Sequence, residues 1–210
     1  AHYQYDLADP TDDRYQLVTR NRRRGGRTDR TGTQRGAALL EAMIITPVVL
    51  MLIFAMIDYG LYFRDDLTAG NAARAAARTG VSADADGFVD YDVLRMLDDR
   101  LTGLGVEPDR IVVFKASTYS DEPPAGCLVD SVYPVCNSYP GSALGWSQAE
   151  WVASTERNGW PEADRSISNS AGTDLLGIHI RATHTFAIGA FTDTATISET
   201  VVYRIEPKAD

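Results

Sequence analysis

Histidine, cysteine and lysine are scarce in this chain of 210 residues, which contains three, two and two of them. The sequence also lacks a phosphate-binding loop, a nucleophile elbow and a zinc motif. Its many acidic residues do not follow the spacing of a calcium-binding loop. These absences argue against an enzyme, a resident metal and a cofactor. They favour a protein that acts through binding or assembly.

The three histidines are not expected to form a metal site. His2 lies in a polar N-terminal arm, whereas His179 and His184 lie on one predicted strand. Because side chains alternate along a strand, residues separated by an odd number of positions face opposite sides of the sheet. We therefore expect both strand histidines to be sheet-surface residues without a catalytic role.

Charge is distributed unevenly, and arginine carries nearly all of the positive charge. Seven arginines lie between Arg20 and Arg35 against one acidic residue, whereas residues 59–210 hold 12 basic and 22 acidic residues. Such a basic segment is typical of a nucleic-acid arm or of the flank of a membrane helix. An apolar run follows it directly, and its arginines have no aromatic residues between them. Both features favour the membrane flank, so nucleic acid is not an expected partner.

The apolar run extends over Ala37–Phe63 and has no charge over Ala42–Ile57. About 20 helical residues, at about 1.5 Å each, span the roughly 30 Å hydrocarbon core of a bilayer. A buried helix of a soluble core is the alternative, but such helices are usually shorter and rarely apolar on all faces. We predict a transmembrane helix over residues 36–63, in which Pro47 is tolerated. The aromatic belt at its far end would consist of Tyr59, Tyr62 and Phe63.

The arginines predict the orientation of the chain, because basic residues are retained on the cytoplasmic side of a membrane helix. Residues 1–35 lack hydrophobic periodicity and are predicted to be a disordered cytoplasmic leader. The rest of the chain is then exported, which predicts a single-pass protein of the cytoplasmic membrane. A cleaved secretory signal peptide is the main rival, but its apolar region is normally about 7–15 residues long, shorter than this run.

Glu41 lies in the apolar part of the predicted membrane helix, where a carboxylate is costly and usually has a function or a partner. Basic residues lead to Arg35 and Gly36, and Ala37 opens the apolar helix. This arrangement resembles the processing site of type IV pilin-like precursors, in which a membrane aspartyl peptidase cuts after a glycine. The resemblance implies Gly36 and Ala37 as the processing site and Glu41 as a subunit-assembly residue. A chain that stays full-length is the alternative.

A longer pattern makes the resemblance specific to one family. The segment Arg35–Glu41 (RGAALLE) is followed by Pro47, by Asp58–Gly60 (DYG) and by Asn71–Gly80 (NAARAAARTG). Together these resemble the TadE-like family of pseudopilin-like proteins of tight-adherence (Flp) pilus systems. The resemblance implies a pilin-like fold, in which a long N-terminal helix continues beyond the membrane as a spine packed on a globular domain. It also implies other pilin-like subunits, pilus assembly platform proteins and a prepilin peptidase as partners.

Residues 64–80 are predicted to extend the helix outside the membrane. Leu67 and several alanines can form one small-residue face, which would let another element approach closely. Gly80 fits the residue after the helix end, where the left-handed conformation available to glycine is common. The alanines of this face are Ala72, Ala73, Ala76 and Ala77.

Residues 81–210 are predicted to be an exported α+β domain, with helices packed on a small antiparallel sheet of three or four strands. Helical periodicity, β-branched runs and turn-forming residues define its elements. Ser147 and Glu150 have the spacing of a helix-capping box. In chain order we expect a loop (81–89), a helix (Tyr91–Leu104), a strand (Arg110–Thr118), an irregular stretch (120–145), a short helix (Trp146–Thr155) and a hairpin of two strands (Asp174–Phe186 and Thr194–Ile205).

Cys127 and Cys136 are the two cysteines, and both lie in the predicted irregular stretch. In an exported domain a disulfide is the default state of such a pair. A two-cysteine metal site is the rival, but the surrounding sequence offers it no histidine or further cysteine. We predict a disulfide that restrains a surface loop and stabilises the domain by about 2–3 kcal/mol.

Two functional hypotheses follow from these features. The first is a TadE-like minor pilin or pseudopilin that takes part in pilus assembly. The alternative is a membrane-tethered extracytoplasmic binding domain unrelated to pili, in which Glu41 is incidental. An anchored hydrolase would need a convergent polar pocket, for which the sequence has no signal.

Overall fold

The computed structural model describes residues 30–83, 87–102, 106–129, 133–167, 172–188 and 192–207. The predicted leader lies largely outside these ranges, but its last residues, from Arg30, are helical. The helix thus begins before the predicted boundary at residue 36, because a helix already formed in an apolar run propagates into flanking residues at little cost. The chain divides into two units, Ala1–Leu50 and Met51–Asp210, and the second unit holds the sheet.

Helix α1 is one continuous helix of 53 residues, Arg30–Ser82, and Pro47 lies inside it. It covers the predicted membrane segment and the predicted extension. The prediction that Gly80 follows the end of the helix is wrong, because the helix continues for two more residues. A Cβ atom at Gly80 would lie 2.7 Å from Cδ2 of Leu176 and 2.9 Å from Cγ2 of Val93. Gly80 therefore serves close packing and does not terminate the helix.

Gly80→Ala is expected to destabilise the folded chain by about 1–3 kcal/mol through overpacking, although alanine is the better helix former by about 1 kcal/mol. Gly60→Ala is the matched control on the same helix, since a Cβ atom there would meet nothing within 4 Å beyond its chain neighbours and the nearby helix backbone. Urea denaturation of the full chain in detergent micelles measures both variants. Equal stability of the two variants would contradict the packing role of Gly80.

The described residues contain two further α-helices and four strands. The helix Gln148–Ala153 has the predicted capping box, in which the Glu150 amide donates to Ser147 Oγ and the Ser147 amide donates to the Glu150 carboxylate. This prediction is confirmed, and the Ser147 hydrogen bonds lower the pKa of Glu150. The elements are α2 (Val89–Leu101), β1 (Pro108–Ala116), β2 (Cys136–Pro140), α3 (Gln148–Ala153), β3 (Leu175–Thr185) and β4 (Thr194–Arg204).

The four strands form one antiparallel sheet in the order β2-β1-β3-β4. The predicted hairpin is confirmed, and β3 pairs with β4 from Leu175↔Arg204 to Thr185↔Thr194. The prediction that residues 120–145 are irregular is wrong for β2, which pairs with β1 from Arg110↔Pro140 to Phe114↔Cys136. Pairing with a long neighbouring strand stabilises β2 although its own residues have little strand preference.

The two faces of the sheet bury different clusters. One face packs against α1 and α2 through alternate strand residues such as Ile111, Ile178 and Ile197. The other face holds Val112 and Phe114 beside the two cysteines. A long N-terminal helix, a small antiparallel sheet and additional helices confirm the predicted α+β fold class.

The alanine face of α1 is confirmed, and Ala69 belongs to it as well. Its alanines are almost completely buried, whereas Leu67 is 66 % exposed, so the prediction that Leu67 shares this face is wrong. At 100° per residue, Leu67 lies on the side of the helix opposite to the alanines. Small side chains let the backbone of α1 approach the sheet, and Leu67 is left outside the core. The buried alanines are Ala69, Ala72, Ala73, Ala76 and Ala77.

Candidate assembly and membrane-junction site

The predicted processing and assembly residues lie near the beginning of α1. Gly36, Ala37 and Glu41 are all helical and exposed. Apart from its chain neighbours and the nearby backbone of the helix, nothing lies within 4 Å of the position that a Cβ atom would take at Gly36. The peptide bond after Gly36 is therefore sterically open within the described structure, and the Glu41 carboxylate is accessible to another molecule.

Residues 36–57 of α1 have an apolar surface, and none of them is buried. Large side chains are exposed on every side of the helix, for example Met43, Ile44 and Met56, the last of them by 75 %. By length and composition this helix is a candidate membrane span, and its most apolar stretch is entirely uncovered. Exposed apolar surface of this extent marks an interaction with lipid or with other helices.

Burial of α1 begins at Asp58. The Asp58 carboxylate accepts hydrogen bonds from the backbone amides of Ala187 and Ile188, each at 3.2 Å, just beyond the end of β3. The buried stripe continues through Asp65 to Ala69. The acidic residue of the Asp-Tyr-Gly step thus fixes the end of the β3–β4 hairpin to the helix.

Asp58→Ala is expected to destabilise the chain by about 1–3 kcal/mol, because two partly buried amides lose their acceptor. Hydrogen exchange should accelerate most at Ala187 and Ile188. Asp66→Ala is the control, since Asp66 is an acidic residue of the same helix that is only partly buried. Unchanged protection of the two amides in Asp58→Ala would contradict this assignment.

Aromatic side chains surround the same junction. The ring of Phe186 lies 5.7 Å from that of Tyr59, 6.1 Å from that of Tyr62 and 4.9 Å from the imidazole of His184, between ring centroids. Nδ1 of His184 lies 2.8 Å from Oδ2 of Asp65, and both side chains are nearly buried. This cluster joins α1 to the hairpin with apolar contact and one polar pair.

His179 and His184 lie on opposite faces of the sheet, as predicted, but neither is a sheet-surface residue, because both are buried. His184 is covered by α1. His179 has Nδ1 2.9 Å from Oγ1 of Thr200 and 3.9 Å from Oε2 of Glu122. Burial lowers the pKa of His179 although the Glu122 carboxylate opposes the shift. The imidazole of His179 is thereby favoured in its neutral form.

A buried polar network, none of whose members is among the predicted site residues, centres on Asp90 in the first turn of α2. Oδ2 of Asp90 accepts hydrogen bonds from Nδ2 of Asn137 at 2.7 Å and from the hydroxyl of Tyr139 at 2.9 Å. Oδ1 lies 2.7 Å from Nη2 of Arg165 in an ion pair whose side chains are at most 3 % exposed. Burial and the Asp90 charge raise the pKa of Tyr139 well above its usual value, so the phenol stays a donor.

The same network holds the segment that follows α3. Asn137 donates to the carbonyl of Trp160 and accepts from its amide, at 3.0 and 2.7 Å. The guanidinium of Arg165 lies 4.6 Å from the centre of the Trp160 ring. A segment with little regular structure is thereby fixed to β2 and α2, which gives the network a stabilising role in the domain.

The predicted disulfide between Cys127 and Cys136 is confirmed. The rival two-cysteine metal site is wrong, since both sulfur atoms are used in the bond. Both residues are buried, and Cys136 is the first residue of β2. The bond therefore attaches the short 3₁₀ turn Ala125–Leu128 to the sheet, in addition to restraining a loop.

The similarity of this chain to a known protein family lies within α1. Residues 36–78 match the family model described as TadE-like protein. No curated protein matches the chain, and no solved structure matches it. The matched segment contains Gly36, Glu41, Pro47 and Asp58, so it includes the exposed apolar surface and the junction with the hairpin. The resemblance inferred from the sequence is confirmed over this range, and residues 36–78, called here the TadE-like segment, are similar to that family.

Proposed function

We propose that this protein is a TadE-like minor pilin or pseudopilin that takes part in assembly of a tight-adherence type IV-like pilus or of a secretion apparatus. One observation carries the proposal: the TadE-like segment coincides with a helix on which residues 36–57 are apolar and unburied. Such a surface requires lipid or neighbouring helices to cover it. Other pilin-like subunits and the assembly platform are the proposed partners of this surface.

The proposed location is the cytoplasmic membrane, with one span and a cytoplasmic N-terminus. The arginines between Arg20 and Arg35 support this orientation. The Cys127–Cys136 disulfide supports export of the C-terminal domain, because disulfides persist in oxidising compartments. The exported domain would then act by contact, in priming, capping or adjusting a filament or in adhesion, without catalysis and without a cofactor.

Processing by a prepilin peptidase is part of the proposal. Cleavage after Gly36 would leave a charged α-amine on Ala37. In the membrane this ammonium needs a counter-ion, which the Glu41 carboxylate of a neighbouring subunit can supply. Gly36 lies inside α1, so the peptidase must first open the first turns of the helix; helix ends open at low cost.

Mass spectrometry of the N-terminus tests the proposal directly. With a prepilin peptidase present, the mature chain should begin at Ala37, and without the peptidase the leader should remain. Gly36→Ile should block cleavage, because a side chain keeps the backbone from the peptidase cleft. Gly60→Ala, on the same helix outside the site, should be processed normally.

The alternative, a tethered binding domain unrelated to pili, makes the opposite prediction. Its chain would stay full-length whether or not the peptidase is present, and it would purify as a monomer without pilus components. Neighbouring genes also separate the two functions, since a secretion ATPase and platform genes beside this one favour the pilus. An unprocessed monomer would contradict the proposed function.

A further inference from the structure

We infer that the end of the β3–β4 hairpin makes a second contact with the membrane, in the lipid headgroup region beside α1. The contact surface, called here the interfacial patch, consists of Tyr59 and Phe63 on α1 and of Phe186 and Ile188 on the hairpin. The inference rests on the anchoring part of the proposed function, because it requires α1 to span the bilayer. It adds that the globular domain is held directly against the membrane surface.

The hydrogen bonds of Asp58 determine the level of the interfacial patch along α1. They attach the amides of Ala187 and Ile188 to the point where the unburied apolar surface ends. If the span begins at Ala37, about 20 residues of helix reach the far side of the hydrocarbon core. That side lies next to Asp58, so the end of the hairpin is at the depth of the lipid headgroups.

The chemistry of the patch suits this depth. Tyr59 and Phe63 are exposed, and Ile188 is 47 % exposed although it follows a buried strand. Aromatic residues are enriched at the boundary between lipid and water. Over Thr185–Thr192 the sequence carries no charge, although residues 189–191 lie outside the described ranges. Contact with lipid would remove apolar surface from water, at about 25 cal/mol per Å².

The polar groups beside the patch are satisfied without water. Asp58 accepts two backbone hydrogen bonds, and Asp65 pairs with His184. Arg64 is half exposed next to Phe63 and has a long ion-pair contact with Asp65 at 4.0 Å. Its stem can cover apolar surface while its guanidinium reaches the headgroup phosphates. A lipid surface therefore fits both the apolar interfacial patch and the charge of Arg64 beside it.

Fluorescence of variants that carry one added cysteine, reconstituted in vesicles, tests the inference. The full chain, with its native disulfide intact, is reconstituted in phosphatidylcholine vesicles at a low protein-to-lipid ratio. An environment-sensitive probe is attached in Ile188→Cys, Val152→Cys or Leu50→Cys, and quenching by lipids brominated at shallow or deep positions is recorded. Val152 is the matched control, since it is 51 % exposed, close to the value for Ile188.

The position of the control separates membrane contact from mere exposure. Val152 lies on α3, where the adjacent Trp151 packs against Phe88 and Tyr91. Val89, next to Phe88, lies beside Gly80 and Ala83 at the C-terminal end of α1. This end is about 36 Å from Asp58 along the helix at 1.5 Å per residue. The probe at 188 should be quenched several-fold more strongly than the probe at 152, and best by shallow bromines. The probe at 50 should be quenched best by deep bromines.

Each other outcome overturns the inference in an identifiable way. Deep quenching at 50 with equal, weak quenching at 188 and 152 would refute the interfacial patch and leave the anchor of the proposed function intact. Absence of quenching at 50 would refute both. If the environment of the probe at 188 became apolar only at a high protein-to-lipid ratio, a second copy of the chain would be covering the patch. This result would also overturn the inference.

Discussion

Asp90→Ala is expected to lower the free energy of unfolding of the globular domain by about 3–5 kcal/mol, the loss typical when one partner of a buried ion pair is removed. The carboxylate is completely buried. It accepts hydrogen bonds from Asn137 at 2.7 Å and from Tyr139 at 2.9 Å, and it forms an ion pair with Arg165 at 2.7 Å. Without it, the buried Arg165 guanidinium loses its carboxylate partner. Segment 160–165 should then detach from α2 and β2.

The measurement is urea denaturation of the full chain in detergent micelles, followed by tryptophan fluorescence because Trp160 belongs to the network. Asp99→Ala is the matched control: Asp99 is exposed on the same helix, so a change within about 0.5 kcal/mol is expected. The double variant Asp90→Ala/Arg165→Met should recover part of the loss, since no uncompensated charge remains. If Asp90→Ala were as stable as Asp99→Ala, the network would not be a stabilising element.

Elements defined by local periodicity were predictable from the sequence. The long helix, α2 and the β3–β4 hairpin follow from repeats of three to four or of two residues. The cap of α3 follows from the spacing of Ser147 and Glu150. Strand β2 lacks such a signal, because its sequence CNSYP contains no β-branched residue and it forms by pairing with β1.

The buried polar contacts could not be predicted, because their partners are far apart in the sequence. Asp58 and Ile188 are 130 residues apart, and Asp90 and Tyr139 are 49 apart. The positions of Asp90 on α2 and of Asp58 on α1 nevertheless give a local indication that each is buried. Asp90 lies one residue before the predicted helix (Tyr91–Leu104), but it precedes Val93 by three positions and so lies in line with the apolar face of α2. An acidic residue on the apolar face of a predicted helix indicates a buried partner, even when the sequence does not identify that partner.

Asp58 shows the same signal on α1. It precedes Tyr62 by four positions and Asp65 by seven, so the three share the stripe that continues into the buried alanines. In the sequence, Asp58 itself is marked only as the acidic residue of the Asp58–Gly60 step of the TadE-like pattern. The structure assigns the acidic residue a physical role, since it attaches the hairpin to the helix where the unburied apolar surface ends.

Glu41→Gln is expected to reduce incorporation of the protein into pilin-like assemblies by about 100-fold or more. In the proposed assembly the Glu41 carboxylate neutralises the α-amine of Ala37 of a neighbouring subunit. Breaking a buried pair costs about 3–5 kcal/mol, and each 1.4 kcal/mol corresponds to about a tenfold change in an equilibrium constant. Cross-linking to other pilin-like subunits, normalised to the amount of protein in the membrane fraction, measures the effect.

Two comparisons identify the carboxylate as the cause. Glu41→Asp keeps the charge on a shorter side chain and should retain part of the assembly. Asp66→Asn removes an acidic group from the same helix, beyond the unburied apolar surface, and this variant should assemble normally. Assembly of Glu41→Gln at the level of the unchanged chain would contradict the proposed pairing. The surface around Glu41 is apolar and exposed, so neutral glutamine should enter the membrane at least as readily as glutamate. Normal insertion with lost assembly would therefore isolate the role of Glu41 in joining subunits.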